Sequence, residues 1–173
     1  MSIAADKKHL DDTLKEYRRR LDVIPDAVFN TTPPGGGWSY GEVYSHILQA
    51  DMASLIGIER CANGTGKIDS KRLNWLATLI FLFKRFPPVG LKVPKKFESL
   101  TVNISKEEAR NLLIKLKTRV DQLAPVINKA STFSKIKHPR LGMLNARQWL
   151  RFIAIHTAHH LKQLTRLDKK FKL

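Results

Sequence analysis

The chain has 173 residues, 43% of them hydrophobic, which suffices for one buried core and leaves too little length for two comfortable domains. Its 31 Lys and Arg against 15 Asp and Glu give a net charge of +16, a balance that raises nucleic acid or an anionic membrane surface as a partner. The charges are spread along the chain and not interleaved with stacking aromatics. No zinc finger, RNA-recognition signature or glycine-rich phosphate loop accompanies them, so a solvated basic surface is expected and a nucleic-acid partner is not. The single cysteine, Cys61, excludes an internal disulfide and fits a reducing compartment. Residues 1–10 lack the apolar core of a signal peptide, and the richest apolar run, 73–83, is about half the length of a spanning helix. The expectation is a cytoplasmic protein with no membrane span and a single domain over 1–173.

In chain order, Leu10, Leu14, Tyr17, Leu21 and Ile24 recur at the 3–4 spacing of a helix over about 6–23, packing one face inward. Pro25 and the run 31–37 (TTPPGGG) end it in a loop. Ser39 followed by Glu42 is a capping-box pattern for a second helix running to about Cys61, where 63–66 (NGTG) stops it. His46 shares a face of that helix with Glu42, Val43, Ala50, Ala53 and Gly57, and the small residues among them permit close approach of a neighbour or leave room for a small cavity. Residues 70–86 are apolar almost all round and predict a further helix across the bundle or at a subunit interface; a basic-flanked segment of this kind can also lie on a membrane surface. Residues 89–101 read as an extended connection. Ser105 with Glu108 starts another helix, with apolar positions at Ala109, Leu112, Leu113, Leu116, Val120, Leu123 and Val126. A turn-rich link over 130–144 follows, and Asn145 with Gln148 caps the last helix. No alternating strand pattern and no repeat is visible, so four long helices plus an inserted fifth make an all-α bundle.

The last helix carries the chemistry. At roughly 100° per residue, Trp149, Phe152, Ile153, His156, His160, Gln163, Leu164 and Leu167 fall on one face, and Arg147, Arg151, Ala154, Ala158, Lys162 and Thr165 on the other. Two imidazoles in a buried stripe need partners, because an unpaired buried polar group costs about 1–3 kcal/mol. Either other side chains satisfy them or a metal ion does. His156 and His160 are four apart, with Cβ atoms about 5–6 Å from each other, a spacing that lets two rings converge on one ion. His46, inward on its own helix, supplies a third. Three neutral nitrogen ligands with an open position are the arrangement of a reactive metal rather than a closed structural one. His159 projects to one side of the stripe and is a flanking candidate. Glu42, one turn before His46, either orients that ring or serves only the capping box. His9 and His138 read as ordinary surface or turn histidines, and Cys61 lies about 22 Å from His46 along one helix, too far to join it.

The segments 38–46 (WSYGEVYSH), 138–142 (HPRLG) and 156–163 (HTAHHLKQ), in this order, resemble the DinB-like superfamily. The resemblance covers nearly the whole chain. It implies an up-down-down-up four-helix bundle and a homodimer; the residue pattern adds the extra helix, inserted between bundle helices 2 and 3. It implies His46, His156 and His160 as ligands of a divalent metal (zinc, nickel or iron-type), with Gln163 nearby. It also implies a small-molecule thiol or electrophile as substrate of a metal-dependent thiol S-transferase or hydrolase. The alternatives are a non-catalytic, stress-related metal-binding bundle and a basic binder of nucleic acid or anionic surfaces.

Overall fold

A computed structural model describes residues 2–87 and 102–173. Helix α1 (Ile3–Val23) buries Leu10, Leu14, Tyr17 and Leu21 at the expected spacing. A one-turn helix α2 (Asp26–Phe29) follows where the sequence predicts only loop; Pro25 at its N-cap starts a turn too short for any periodicity to show. Helix α3 (Tyr40–Ala62) opens on a complete capping box. The Ser39 hydroxyl accepts from the Glu42 N–H at 3.2 Å, and the Glu42 carboxylate accepts from the Ser39 N–H at 2.8 Å. The same reciprocal pair starts α5 (Lys106–Lys129) at Ser105 and Glu108, and α6 (Ala146–Phe171) at Asn145 and Gln148. Between α3 and α5 lies α4 (Trp75–Phe83), shorter than the 70–86 expected. Asn74 caps it, accepting from the Ala77 N–H at 2.8 Å, and left-handed Lys84 ends it. The extended connection expected over 89–101 lies outside the described residues.

The side-chain pairings give the direction of each helix. Asp6 meets Arg151 and Arg20 meets Asp168, so α1 and α6 run parallel. Lys7 with Asp121 and Asp22 with Arg110 make α1 and α5 antiparallel. Tyr40 with Asp168 and Gly57 with Trp149 make α3 and α6 antiparallel. Ser39 bonds Asn103 just before α5, and Glu59 pairs with Arg119, so α3 and α5 run parallel. Taking α1 as up, the order is up-down-down-up, with α1 and α3 on one diagonal and α5 and α6 on the other.

Three tyrosines tie this core together. The Tyr17 hydroxyl donates to the Thr157 carbonyl at 2.9 Å, and Tyr44 donates to the Tyr17 carbonyl at 2.7 Å. Tyr40 donates to Asp168 at 2.8 Å and stacks on Phe171. Each ring thus buries its apolar body while its hydroxyl finds an acceptor.

Four local expectations need correction. The 130–144 link is not only turns: β2 (Ser134–His138) and β3 (Gly142–Asn145) form an antiparallel hairpin, and β1 (Lys67–Ile68) adds to its other edge. Strands of two to five residues are too short to display an alternation, and left-handed Gly142 closes the turn. Arg151 and Ala154 are buried, not outward, because α1 packs along that flank of α6. Arg151 is tolerated there because Nε and Nη2 fork onto the Asp6 carboxylate at 3.1 Å each. On α5 the exposed residue is Val126 and the buried one Ile127, which lies seven residues, or nearly two full turns, after Val120. Ala53 faces solvent.

Gly57 sets the distance between α3 and α6. A Cβ there would lie 2.7 Å from Cε2 of Trp149, closer than any real contact. Gly57→Ala is therefore expected to destabilise the bundle by about 1–3 kcal/mol, the usual cost of overpacking. A chemical denaturation curve unchanged from wild type would show that α3 and α6 can move apart freely.

Candidate metal centre

His46 lies in the second turn of α3, and His156 and His160 lie on successive turns of α6, facing it. Ring centroids are 5.7 Å apart for His46 and His156, 4.9 Å for His46 and His160, and 4.7 Å for His156 and His160. One nitrogen from each ring lies within 4.8 Å of the other two. Among the described residues this is the one group of three such side chains able to hold a metal ion.

The far side of two rings is already occupied. His156 Nδ1 lies 2.8 Å from the Asp51 carboxylate, and His160 Nδ1 lies 2.8 Å from the Gln163 side-chain oxygen. A carboxylate and an amide oxygen accept, so each Nδ1 donates its proton and Nε2 keeps a free lone pair. Asp51 is fully buried and is fixed in turn by Thr157, whose hydroxyl lies 2.9 Å from its second oxygen and 2.5 Å from the Ile153 carbonyl. Imidazoles oriented by such acceptors, with the other nitrogens converging, form a donor set that suits a borderline divalent metal.

Electrostatics favour the neutral rings that a metal requires. Burial, reinforced by repulsion from His156, pushes His46 down to about 4. Burial likewise holds His160 well below the ordinary imidazole value, with His156 and His46 adding to the effect. Aromatic rings wall the group: Trp38 lies 5.0 Å from His46, Phe152 stacks on His156 at 5.2 Å, and Phe86, three residues past α4, lies 6.2 Å from His156.

The other candidates fall around this cluster. His159 lies beside the group, 5.0 Å from Phe86 and 5.2 Å from His160, and burial lowers its pKa. Glu42 is engaged by the Ser39 N–H as half of the capping box. Cys61 is buried at the far end of α3, its thiol pushed up to about 11 by burial. His138 is not an ordinary turn histidine. It closes β2, lies 4.5 Å from Phe152 and 5.1 Å from Trp149, and accepts two backbone N–H bonds, from Arg140 and Leu141, on Nδ1 at 3.1 Å each. Burial pushes it to about 4, with His156 and Arg140 contributing.

Sequence reasoning missed Asp51. Its signal was present: Ile47, Leu48, Ser54 and Leu55 surround it at helical spacing, leaving one carboxylate in a buried stripe. A buried carboxylate on such a stripe demands a partner on the facing helix.

The family model described as DinB superfamily matches residues 9–164. The chain belongs to the DinB superfamily. No curated protein matches it in sequence. Among solved structures it is similar to TT2238, a four-helix bundle protein, at 21% identity and a TM-score of 0.60, covering 95% of this chain and 99% of that one. It is similar to YfiT from Bacillus subtilis, described as a probable metal-dependent hydrolase with an unusual four-helix bundle topology. There the identity is 14% and the TM-score 0.68, over 99% of this chain and 90% of YfiT. A mycothiol-dependent maleylpyruvate isomerase matches at 13% identity and a TM-score of 0.61, over 93% of this chain and 60% of its own length. At these identities the three share the fold.

The depressed histidines give the metal-free DinB-superfamily chain a pH signature. His46 and His138 take up protons near 4 when folded and near the ordinary 6.5 when unfolded, so the unfolded chain binds more protons between those values. Stability is full above about 6.5 and falls as pH drops toward 4. The thermal midpoint of the metal-free protein should follow that course, less steeply in His138→Asn, whose Oδ1 can replace Nδ1 as acceptor. An identical slope in the variant would remove His138 from the account.

Proposed function

We propose that the chain binds one divalent metal ion through His46, His156 and His160 and acts on a small thiol or an electrophile, as a thiol S-transferase or hydrolase. The observation that carries this reading is the convergence of three ring nitrogens while Asp51 and Gln163 hold Nδ1 of two of them. When bound, the ion would supply the Lewis acidity that keeps a thiol or a water deprotonated near neutral pH.

The chain's own residues do the rest. The Asp51 carboxylate orients His156 and makes it a better donor, and Thr157 fixes that carboxylate. Gln163 orients His160 from one turn away on its own helix. Phe86, Phe152 and Trp38 exclude bulk water on their sides and give a reacting group apolar walls. His159 borders the same space and is available to a substrate. YfiT's description supports the metal, and the mycothiol dependence of the isomerase supports a thiol over other small nucleophiles. The same reading carries a single domain over 1–173 and a homodimer.

Elemental analysis of the purified protein is expected to find one metal per chain, lost in His156→Ala. Absence of metal after loading the wild type would sink the site. Asp51→Asn keeps the shape of the contact but removes the negative charge, and should bind metal about 10–100-fold more weakly while remaining folded. A panel of thiols with an electrophilic acceptor then separates catalysis from mere binding. Wild type should exceed His46→Ala, and equal background rates would leave a metal-binding protein with no transferase activity.

A further inference from the structure

The face of α4 turned away from the bundle is unlike the rest of the surface. Ala77, Ile80 and Phe81 bury the inner face. Trp75, Leu79, Leu82 and Phe83, at i, i+4, i+7 and i+8, share the outer one and are 74%, 44%, 66% and 58% exposed. Four large apolar side chains on one side of a nine-residue helix form a contiguous patch, and such patches mark an interaction surface.

The rim identifies the partner. Lys71 and Arg72 precede the helix and Lys84 and Arg85 follow it, all exposed, and none makes an ion pair among the described residues. Arg85 lies over the Phe83 ring at 5.9 Å. The sequence has no Asp or Glu between Asp69 and Glu98. We propose that this face docks on the surface of an anionic lipid bilayer.

The helix is about 13 Å long, too short to cross a bilayer, and no helix among the described residues is long and apolar enough to do so. It suits the interface plane instead. Leucine and phenylalanine side chains enter the acyl boundary, Trp75 sits at the headgroup level, and the four cations meet lipid phosphates. A second copy on this face is a poorer occupant: a two-fold contact would set the same four cations against one another, with no Asp or Glu between Asp69 and Glu98 to pair them. Nucleic acid would use the cations but leave Leu79 and Leu82 bare. The proposal stands independently of whether the histidines bind a metal.

The test is co-sedimentation of the full chain with vesicles of phosphatidylcholine plus phosphatidylserine, against phosphatidylcholine alone. Wild type should bind the anionic vesicles selectively, with a blue shift of tryptophan emission that Trp75→Phe removes. The exposed pair Leu82→Ser/Phe83→Ser should lower binding at least about tenfold with an unchanged thermal melt, and Lys84→Glu/Arg85→Glu should do the same. Three results overturn the proposal. One is no selectivity for anionic vesicles. Another is wild-type binding by the Leu82/Phe83 variant, which would leave only diffuse charge. The third is a halved mass of that variant in light scattering, which would put a second copy on this face.

Discussion

Everything at the candidate centre depends on one buried carboxylate. Asp51 is fully enclosed between α3 and α6, where an uncompensated charge would be costly. It is met by the imidazole N–H of His156 and the hydroxyl of Thr157, adjacent residues on the facing helix. That pairing fixes the rotation of α6 about its axis relative to α3, and with it the direction of His160 one turn on. The Tyr17 hydroxyl bonds the carbonyl of the same Thr157, so α1 is locked to the same point of α6. Polar groups in this core therefore specify a single arrangement of three helices.

The hairpin and the α4 connection add two further walls from distant parts of the chain. β2 delivers His138 against Phe152, and the segment after α4 delivers Phe86 against His156 and His159. The same stretch that presents an apolar face outward thus ends in a ring lying on the histidines. Whatever meets the outer face of α4 stands a few residues from the cover of the centre.

What the sequence made legible was local. All three capping boxes follow from residue types three positions apart, and the inward placement of His46, His156 and His160 follows from a fixed angle per residue. The up-down-down-up order came from resemblance to a family and is independently visible in the side-chain pairings between helices. What stayed hidden was set by tertiary neighbours. Arg151 looks outward on a helical wheel, and only the position of α1 turns that side into an interior. Asp51 looks like a flaw in an apolar stripe until Thr157 and His156 stand opposite. The strands carry too few residues for a period, and the pairing of β1 with β2 joins segments some 70 residues apart.

The contacts between α3 and α6 form a gauge. Near one end an indole rests on the bare backbone of Gly57; at the other, Tyr40 stacks on Phe171. The three histidines lie between these stops, His46 about 16 Å from Gly57 along α3. Both stops are contacts of one helix with the other, and His138 of β2 backs the indole at 5.1 Å. Connections that leave that hairpin in place can accordingly lengthen, shorten or drift in sequence while the ring spacing holds. A single methyl group at Gly57, remote from every ring nitrogen, would be felt by all three.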